Sequence, residues 1–546
     1  MNLIISKAGV CMKKLYYGGN IITMAAKNIE DYVAPEAVLV ENGIISNVGT
    51  IEELEKYIDS DTEKIDLKGK CLMPSFIDAH SHVVMDAKFS AFANLSDAES
   101  FDDIINLLNE HKNKNNLSTD DVIVGFGYDN NFLKENAQPD KRVLDKVSTD
   151  IPVVILHVSG HLACVNSKAL EIAGIDENTP DIKGGLIERI AGTTKPSGYL
   201  EEAGMMVVFE KVMSRVKANV EDIMENMGKT YIKYGITTVQ DGATTKEDFQ
   251  FLKMMSDQNK LKLDVVSYPI MPGGGVELLH ENKEYVRQYK NRLKIGGYKL
   301  VLDGSPQGRT AWLSKPYEGD ENYCGYPWMK DEDVEGFIRT AVTEKQQLLT
   351  HCNGDAAGDQ LLNIYDKIIK ETGSKEDLRP VMIHCQTARN DQLDKMAELN
   401  MIASIFVGHV FYWGDIHLKN LGKVRGNHIS PVKDALDRGL HVNFHQDTTV
   451  TLPDMMHSVW CAVNRISRNG QLIGQDQCIS VYDALKAVTT EAAYEYFEED
   501  SKGTIEPGKR ADLVILTDSP LKVDKMDIKN IKVIETIKDG ETIYRS

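Results

Sequence analysis

The sequence predicts an α/β protein: a (β/α)8 TIM barrel with an inserted α+β subdomain and a small β-sandwich domain built from both chain termini. Three observations predict this fold. Eight short apolar runs ending in polar residues alternate with helical stretches in the central part of the chain, a long segment interrupts this alternation after the first run, and both ends are rich in β-type residues. Eight β/α repeats are the number in a TIM barrel. A chain of 546 residues is also expected to hold more than one domain.

The two ends of the chain, residues 12–73 and 503–546, are predicted to form one composite β-sandwich domain. Short alternating strands are expected at 14–17, 37–41, 44–48 and 64–66, and again at 511–517 and 531–538. Asn42-Gly43 and Asp539-Gly540 are strong signals for tight hairpin turns. Two separate small β units are the alternative. Residues 1–11, which precede a second methionine at Met12, are interpreted as an upstream extension.

Residues 74–502 are predicted to form the barrel. Its eight strand candidates are 71–79, 236–241, 263–270, 295–303, 347–351, 380–384, 401–407 and 441–447. The segment 86–225 has strand-like runs of its own at 122–126 and 152–157, so it is predicted to be an inserted subdomain that covers the barrel mouth as a lid. Without this insertion the remaining length is close to the roughly 250 residues of a plain barrel.

The first strand candidate ends in two histidines that suit a metal. His80 and His82 are two residues apart, and residues at that spacing point to the same side of a strand. Imidazole nitrogens are common ligands of zinc and other transition metals. The pair alone is a weak signal, because nearby histidines often have structural roles.

Other strand candidates end in the same kind of residue. His351 ends the fifth, His384 ends the sixth and Asp447 ends the eighth. Lys299 lies inside the otherwise apolar fourth candidate, where a buried ammonium is costly unless it is paired or chemically changed. Carbamylation by carbon dioxide would make it an anion able to bridge two cations. The strand ends therefore predict a metal centre at one mouth of the barrel.

Several stretches of the chain resemble one known family. PSFIDAHSH at 74–82 is similar to the opening motif of the metal-dependent amidohydrolase superfamily, and GTIEPGKRADLV at 503–514 is similar to its closing motif. Within the superfamily, the chain most resembles the amidohydrolase-3 branch. That narrower resemblance is carried by SGHLACVNSKAL at 159–170, LDGSPQGRTA at 302–311 and HCNGD at 351–355.

The resemblance implies a metal-dependent hydrolase that cleaves the C–N bond of an amide, N-formyl or cyclic amide in a small organic molecule. It implies that His80 and His82 hold a first metal beside Asp447. His351 and His384 would hold a second, with Lys299 bridging both as a carbamate. Zinc is expected, one or two ions per chain, although Fe, Ni or Mn would suit the same ligands. Asp447 would take a proton from the attacking water and return it to the leaving nitrogen.

Two alternative functions of the same predicted fold remain consistent with the sequence. One is a different reaction: deamination of a heterocycle, or lactone or ester hydrolysis, with a single metal and an unmodified Lys299 favouring the deaminase. The other is a catalytically inactive amidohydrolase-like scaffold, which the complete ligand set argues against.

Three further residues are candidates for substrate binding. Arg309 follows the fourth strand candidate and could bind a carboxylate or carbonyl, or form a structural ion pair. His161 lies in the insertion, where a lid contact with substrate and a structural hydrogen bond are both consistent with the sequence. His409 follows the seventh strand candidate and has either a pocket role or a packing role.

The composition of the chain limits the classes of binding partner and the cellular location that are expected. The net charge of −20 disfavours nucleic acid, because a strongly acidic surface repels phosphates. No apolar run approaches the roughly 18 residues of a membrane span, and no signal-peptide core precedes the first strand. Eight scattered cysteines without a C-x-x-C motif predict reduced thiols and a cytoplasmic protein. A homodimer is expected only as a habit of the superfamily.

Overall fold

The computed structural model describes residues 13–216 and 220–546, so the predicted extension at 1–11 lies outside the described residues. The N-terminal segment consists of strands β1 (Lys13–Tyr17), β2 (Asn20–Ile21), β3 (Ala37–Glu41), β4 (Ile44–Gly49), β5 (Glu63–Asp66) and β6 (Cys71–Pro74). Asn42 and Gly43 join β3 to β4, and both have positive φ angles of 50° and 81°. A two-residue hairpin turn of the predicted kind requires these angles.

The inserted segment follows β7 (Phe76–Ile77) and contains a six-stranded sheet of its own. Its strands are β8 (Ala93–Asn94), β9 (Ile123–Tyr128), β10 (Val153–His157), β11 (Leu162–Val165), β12 (Gly185–Arg189) and β13 (Pro196–Glu202), in the order β12-β13-β11-β10-β9-β8. Val153 and Ile155 pack in one hydrophobic cluster, whereas Val154 and Leu156 pack in another on the opposite face. The sheet therefore buries side chains on both faces, and the two strands predicted in this segment are present.

The central segment supplies the parallel strands. They are β14 (Ile236–Thr244), β15 (Asp264–Pro269), β16 (Leu293–Ile295), β17 (Gly297–Val301), β18 (Gln347–Cys352), β19 (Val381–His384), β20 (Ile402–Ile405) and β21 (Val442–Phe444). Strands β7, β14, β15 and β16 form one parallel sheet, and β17 to β21 form a second in sequence order. A parallel bridge between Ile270 and Lys299 links the two sheets.

Two of the predicted strand runs are divided in the structure. The run at 71–79 is interrupted at Ser75, so that β6 joins a terminal sheet and only β7 joins the parallel one. The run at 295–303 breaks at Gly296 between β16 and β17. A Cβ at Gly296 would lie 2.4 Å from the ring of Tyr268. The glycine therefore lets this ring cross the chain at the point where the strand breaks.

The C-terminal segment returns to the N-terminal strands. It contributes β22 (Leu513–Leu516), β23 (Val533–Lys538) and β24 (Glu541–Arg545). One terminal sheet has the order β4-β3-β1-β5 and the other β2-β6-β22-β23-β24, so the second combines strands from both ends of the chain. Val38, Leu72 and Leu513 belong to one buried cluster shared by the two sheets.

Helices follow most of the parallel strands. The α-helices are α1 (Ile51–Leu54), α2 (Val83–Phe89), α3 (Phe101–Lys114), α4 (Lys141–Leu144), α5 (Ser167–Ala173), α6 (Ala203–Val212), α7 (Val220–Asn226), α8 (Lys229–Lys233), α9 (Lys246–Asp257), α10 (Gly275–Glu281), α11 (Asp331–Thr343), α12 (Asp355–Thr372), α13 (Asn390–Glu398), α14 (His409–Asn427), α15 (Val432–Asp437), α16 (Met455–Asn464), α17 (Val481–Ala487) and α18 (Thr490–Glu495). Short 3-10 helices lie at Ile29–Asp31, Glu55–Tyr57, Met213–Arg215, Met271–Gly273, Lys283–Tyr285, Gln475–Gln477 and Lys525–Asn530. Among the described residues, no helix has the length and apolarity to span a membrane.

A buried ionic cluster joins the terminal strands to the start of β15. The Asp264 carboxylate lies 2.7 Å from the Nζ atoms of both Lys502 and Lys538 and 3.2 Å from Nη1 of Arg292. Burial would raise the pKa of Asp264, but Lys502 and Lys538 hold it well below its usual value. The carboxylate is therefore ionised and compensates two buried ammonium groups from different parts of the chain.

Replacing Asp264 by Asn is expected to lower the free energy of unfolding by about 1.5–3 kcal/mol, because each of the two buried ammonium groups loses one of its two carboxylate partners. Lys502 then keeps Glu498, and Lys538 keeps Asp512. Denaturant unfolding followed by circular dichroism would measure the loss. Asp500→Asn, a change of an exposed carboxylate on a neighbouring loop, is the control and should leave the transition unchanged. Equal transitions for the two variants would contradict a stabilising role for the cluster.

Candidate active site

The carboxyl ends of the parallel strands bring three predicted metal ligands together. One ligand atom each from His80, His384 and Asp447 lies within 4.8 Å of the others. His80 follows β7, His384 ends β19 and Asp447 follows β21. The Nε2 atoms of His80 and His82 lie 3.6 and 3.3 Å from Oδ1 of Asp447, and Nε2 of His384 lies 3.8 Å from Oδ2. The three histidines thus converge on the carboxylate of Asp447.

Lys299 reaches the same point from β17. Its side chain is buried, and Nζ lies 3.2 Å from Nε2 of His80. Burial lowers the pKa of Lys299 to about 8. At pH 7, one unit below this pKa, about one-tenth of the amine is therefore neutral. A neutral amine is the form that can react with carbon dioxide.

His351 borders the cluster, but its nitrogens have other neighbours. Its ring centroid is 4.5 Å from that of His384. Nδ1 lies 3.2 Å from Oδ1 of Asp303, and Nε2 lies 3.3 Å from the side-chain nitrogen of Asn353. Asp303 in turn accepts hydrogen bonds from the backbone N–H groups of three residues, Trp312, Asn353 and Gly354. His351 therefore lies beside the group formed by His80, His82, His384 and Asp447, and its ring is held in place by Asp303 and Asn353.

The protonation states of the cluster suit a bound cation. Burial lowers the pKa of His80 and of His384 well below the usual histidine value, so both rings are neutral and keep a lone pair. Burial would raise the pKa of Asp447, but the neighbouring histidines hold it well below its ordinary value. Oδ1 of Asp447 is buried, and its contacts with Nε2 of His82 and His80, at 3.3 and 3.6 Å, are not well-formed hydrogen bonds. Neutral imidazoles around an ionised, unsatisfied carboxylate form a donor set that a metal ion fits.

The backbone is strained at two of these residues. His384 has φ 71° and Asp447 has φ 51°, in the left-handed region that favours glycine. Such conformations cost about 1–3 kcal/mol each and are concentrated at functional sites. The strain supports a functional role for both side chains.

Two residues that support the ligands, His445 and Gln240, were not among the candidates predicted from the sequence. Nε2 of His445 lies 3.1 Å from Nδ1 of His384, and the other nitrogen of His445 meets the Ser404 hydroxyl at 3.0 Å. Oε1 of Gln240 lies 2.5 Å from Nδ1 of His80. These contacts fix ring orientation, as is usual around metal sites. His445 stands two residues before Asp447, so the spacing rule that selected His80 and His82 would have found it; Gln240 offered no comparable signal.

The cluster opens into a cavity of about 410 Å³ with mainly apolar walls. Besides the polar cluster, its apolar lining is Met85, Phe89, Phe126, Leu156, Phe209, Ala243, Ile270, Val301, Trp328 and Val450. A second cavity of about 690 Å³ shares Phe89 and Phe126 with the first. A small organic molecule with an apolar substituent fits such walls.

The three candidate substrate residues have different positions. His161 lines the cavity, and its Nδ1 lies 3.1 Å from Oε2 of Glu202. Burial alone would lower the pKa of His161, but the Glu202 carboxylate raises it above the usual value. Arg309 and His409 are not among the cavity-lining residues.

Arg309 and His409 contact partners outside the cavity. The Arg309 guanidinium lies over the ring of Tyr317, with its carbon 5.1 Å from the ring centroid, and 4.0 Å from Asp320. His409 is buried, and its Nδ1 lies 3.0 Å from Nε2 of His417. The structural alternatives that the sequence left open for these two residues thus match their contacts.

Parallel β/α units whose strand ends gather imidazoles around a carboxylate form a donor set of the kind that binds a metal ion. The chain belongs to the amidohydrolase family, whose model matches residues 63–544. It is therefore a hydrolase acting on carbon–nitrogen bonds, and the resemblance seen in its motifs is confirmed.

Individual relatives cover nearly the whole chain. YtcJ of Bacillus subtilis (strain 168) is 28% identical over 551 residues, covering 98% of this chain and 99% of that protein. N-substituted formamide deformylase of Arthrobacter pascens is 24% identical over 546 residues, covering 96% and 97%. A crystal structure of an uncharacterized metal-dependent hydrolase from Pyrococcus horikoshii OT3 superposes with a TM-score of 0.74 at 25% identity, covering 94% of this chain and 99% of that one.

Proposed function

We propose that this protein is a metal-dependent amidohydrolase that cleaves the C–N bond of an amide, N-formyl or cyclic amide group in a small organic molecule. The observation that carries the proposal is the convergence of His80, His384 and Asp447 at the carboxyl ends of parallel strands. The similarity to N-substituted formamide deformylase supports an N-formyl or related amide as the substrate. In this proposal the parallel strands form a closed (β/α)8 barrel, and the terminal sheets form a sandwich beside it.

The residues divide into two ligand groups. His80, His82 and Asp447 would hold one ion, and His351 and His384 a second, with Lys299 joining the two as a carbamate. Zinc suits imidazole and carboxylate donors, as do Fe, Ni and Mn. When bound, such ions polarise a substrate carbonyl and lower the pKa of water.

The remaining chemistry belongs to the chain. Asp447 accepts a proton at a carboxylate oxygen from the attacking water and delivers it to the leaving nitrogen, which lets the C–N bond break. Gln240 and His445 hold the rings of His80 and His384 in orientation. The apolar walls exclude bulk water and bind the substituent of the amide.

Trp328 is expected to select substrates with aromatic substituents. It lines the cavity and keeps 42% of its surface exposed, so its ring is available for stacking. Trp328→Ala should raise KM for an amide with an aromatic substituent by about 10- to 100-fold, through lost apolar burial. Acetamide serves as the control substrate, with an unchanged KM. Equal effects on the two substrates would contradict this assignment.

Deamination of a heterocycle is the second candidate. The nitrogens of His351 face Asp303 and Asn353, an arrangement compatible with one metal site.

Zinc-loaded protein tested on N-formyl, N-acyl and cyclic amides and on amino-substituted heterocycles separates the candidates. Hydrolysis of an amide supports the proposal, whereas ammonia release from heterocycles alone supports the deaminase. No turnover of either class would favour the inactive scaffold.

A further inference from the structure

The inserted sheet delivers one histidine to the active-site cavity. His161 lies between β10 and β11 and lines the cavity that also contains His80 and Asp447. Its ring centroid is 5.6 Å from that of His351 and 6.0 Å from that of Trp328. The insertion therefore adds a polar group opposite the strand ends.

A buried carboxylate fixes the orientation of this ring. Glu202 ends β13, is only 3% exposed, and places Oε2 3.1 Å from Nδ1 of His161. Its backbone N–H also donates to the His161 carbonyl at 3.1 Å. Its other carboxylate oxygen, Oε1, is buried and makes no hydrogen bond. Because a buried carboxylate is costly without partners, this one needs a local reason to be retained.

The surrounding backbone is shaped to keep the carboxylate in place. Glu202 has φ 46°, in the left-handed region, and strain of this kind is usually retained for function. Gly304 lies in the loop after β17, and a Cβ there would come within 2.5 Å of Oε1 of Glu202. A strained residue in the insertion and a glycine on a loop after the parallel strands thus accommodate the same carboxylate.

The orientation leaves one ring nitrogen free. Nδ1 of His161 faces Glu202, and Nε2 has no hydrogen-bond partner within residues 13–216 and 220–546. A side chain that lines a cavity with an unused nitrogen can bind a polar group of a molecule inside it.

We propose that Glu202 is a positioning residue that turns His161 toward the substrate, so that Nε2 of His161 forms a hydrogen bond with the amide group being cleaved. This inference rests on the proposed amidohydrolase function and extends it. The insertion then completes the active site with a His–Glu pair, in addition to covering it.

Four variants test the pair: His161→Gln, Glu202→Gln, the double variant, and Glu201→Gln as the control. Glu201 is the neighbouring residue, and its carboxylate accepts from the Tyr199 hydroxyl at 2.9 Å instead of facing His161. We expect kcat/KM to fall by about 10- to 100-fold in each single variant, the loss expected for a hydrogen bond to a charged group. The double variant should lose no more than the single ones, and Glu201→Gln should stay within about twofold. Multiplied losses in the double variant, or full activity in Glu202→Gln, would overturn the proposal.

Three additional measurements exclude a merely structural effect. Metal content and melting temperature should match the wild type, and Glu202→Asp, which keeps the carboxylate, should recover part of the lost kcat/KM. If Glu202→Asp and Glu202→Gln are equally stable and lose the same activity, the carboxylate of residue 202 does not position His161.

A binding measurement tests the role of the His161–Glu202 pair without requiring turnover. The calorimetric Kd for benzohydroxamate, an aromatic amide analogue, should weaken about tenfold or more in both His161→Gln and Glu202→Gln, and not in Glu201→Gln. Equal affinities in all variants, or no binding to the wild type, would refute the pair's role. An absence of amide turnover in the wild type would instead refute the proposed function.

Discussion

Replacing Asp447 by Asn is expected to reduce amide hydrolysis by about 10²- to 10⁴-fold, the contribution typical of a general base. Asparagine keeps the shape of the side chain and one oxygen donor, but it cannot accept and return a proton at near-neutral pH. Because the surrounding histidines remain, metal content should be nearly intact. Steady-state kinetics of metal-loaded enzyme, with elemental analysis of the same samples, would separate the two effects.

Asp434→Asn is the matched control. Oδ2 of Asp434 also faces a histidine, 2.9 Å from Nε2 of His428, but the pair does not line the cavity. Its replacement should leave turnover within about twofold of wild type, as expected for a partly exposed pair. Activity retained in Asp447→Asn would contradict the proton-transfer role assigned to this carboxylate.

Replacing Lys299 by Ala is expected to remove one metal ion from a two-metal centre and to lower turnover strongly. In the carbamate, the Lys299 nitrogen forms a bond to the carbon of carbon dioxide, one C=O π pair moves to oxygen, and the nitrogen releases a proton. The product is an anion that can bind two cations. Elemental analysis and intact mass of protein expressed with zinc and bicarbonate should show two metals and one added carbon dioxide in wild type. The variant should lack the adduct.

Lys294→Ala provides the comparison for a buried lysine outside the site. Lys294 pairs with Glu498, which keeps Lys502 as a second partner. This variant should retain both the adduct and the metal content. One metal and no adduct in the wild type would demote Lys299 and favour the deaminase alternative.

The mixed α/β fold and the positions of most strands were predictable because their signals are local. Strand ends followed by polar residues and Asn-Gly or Asp-Gly turns each depend on a few neighbouring residues. The breaks at Ser75 and Gly296 were not predictable in this way. Gly296 separates two strands because the ring of Tyr268 passes beside it, a contact between residues distant in sequence.

In the candidate site, too, some features were predictable from local sequence and others depended on residues distant in the chain. The proximity of His80, His82, His384 and Asp447 was predictable because parallel strands end at one edge, which makes their spacing informative. Their roles as metal ligands stay a prediction. The roles of other residues depended on partners that spacing does not reveal. Arg309 faces Tyr317 and Asp320, and Glu202 reaches His161 only through pairing of inserted strands. The positions of the substrate-binding candidates were therefore harder to predict than those of the ligand candidates.

Metal reconstitution tests the central claim most directly. The purified protein would be stripped with a chelator and titrated with zinc, while bound metal and amide hydrolysis are measured together. We predict that the metal-free protein is inactive, that activity rises in proportion to bound zinc, and that His80→Ala and His384→Ala lose both. Full amide hydrolysis by the metal-free protein, or no metal bound under any loading condition, would contradict the account.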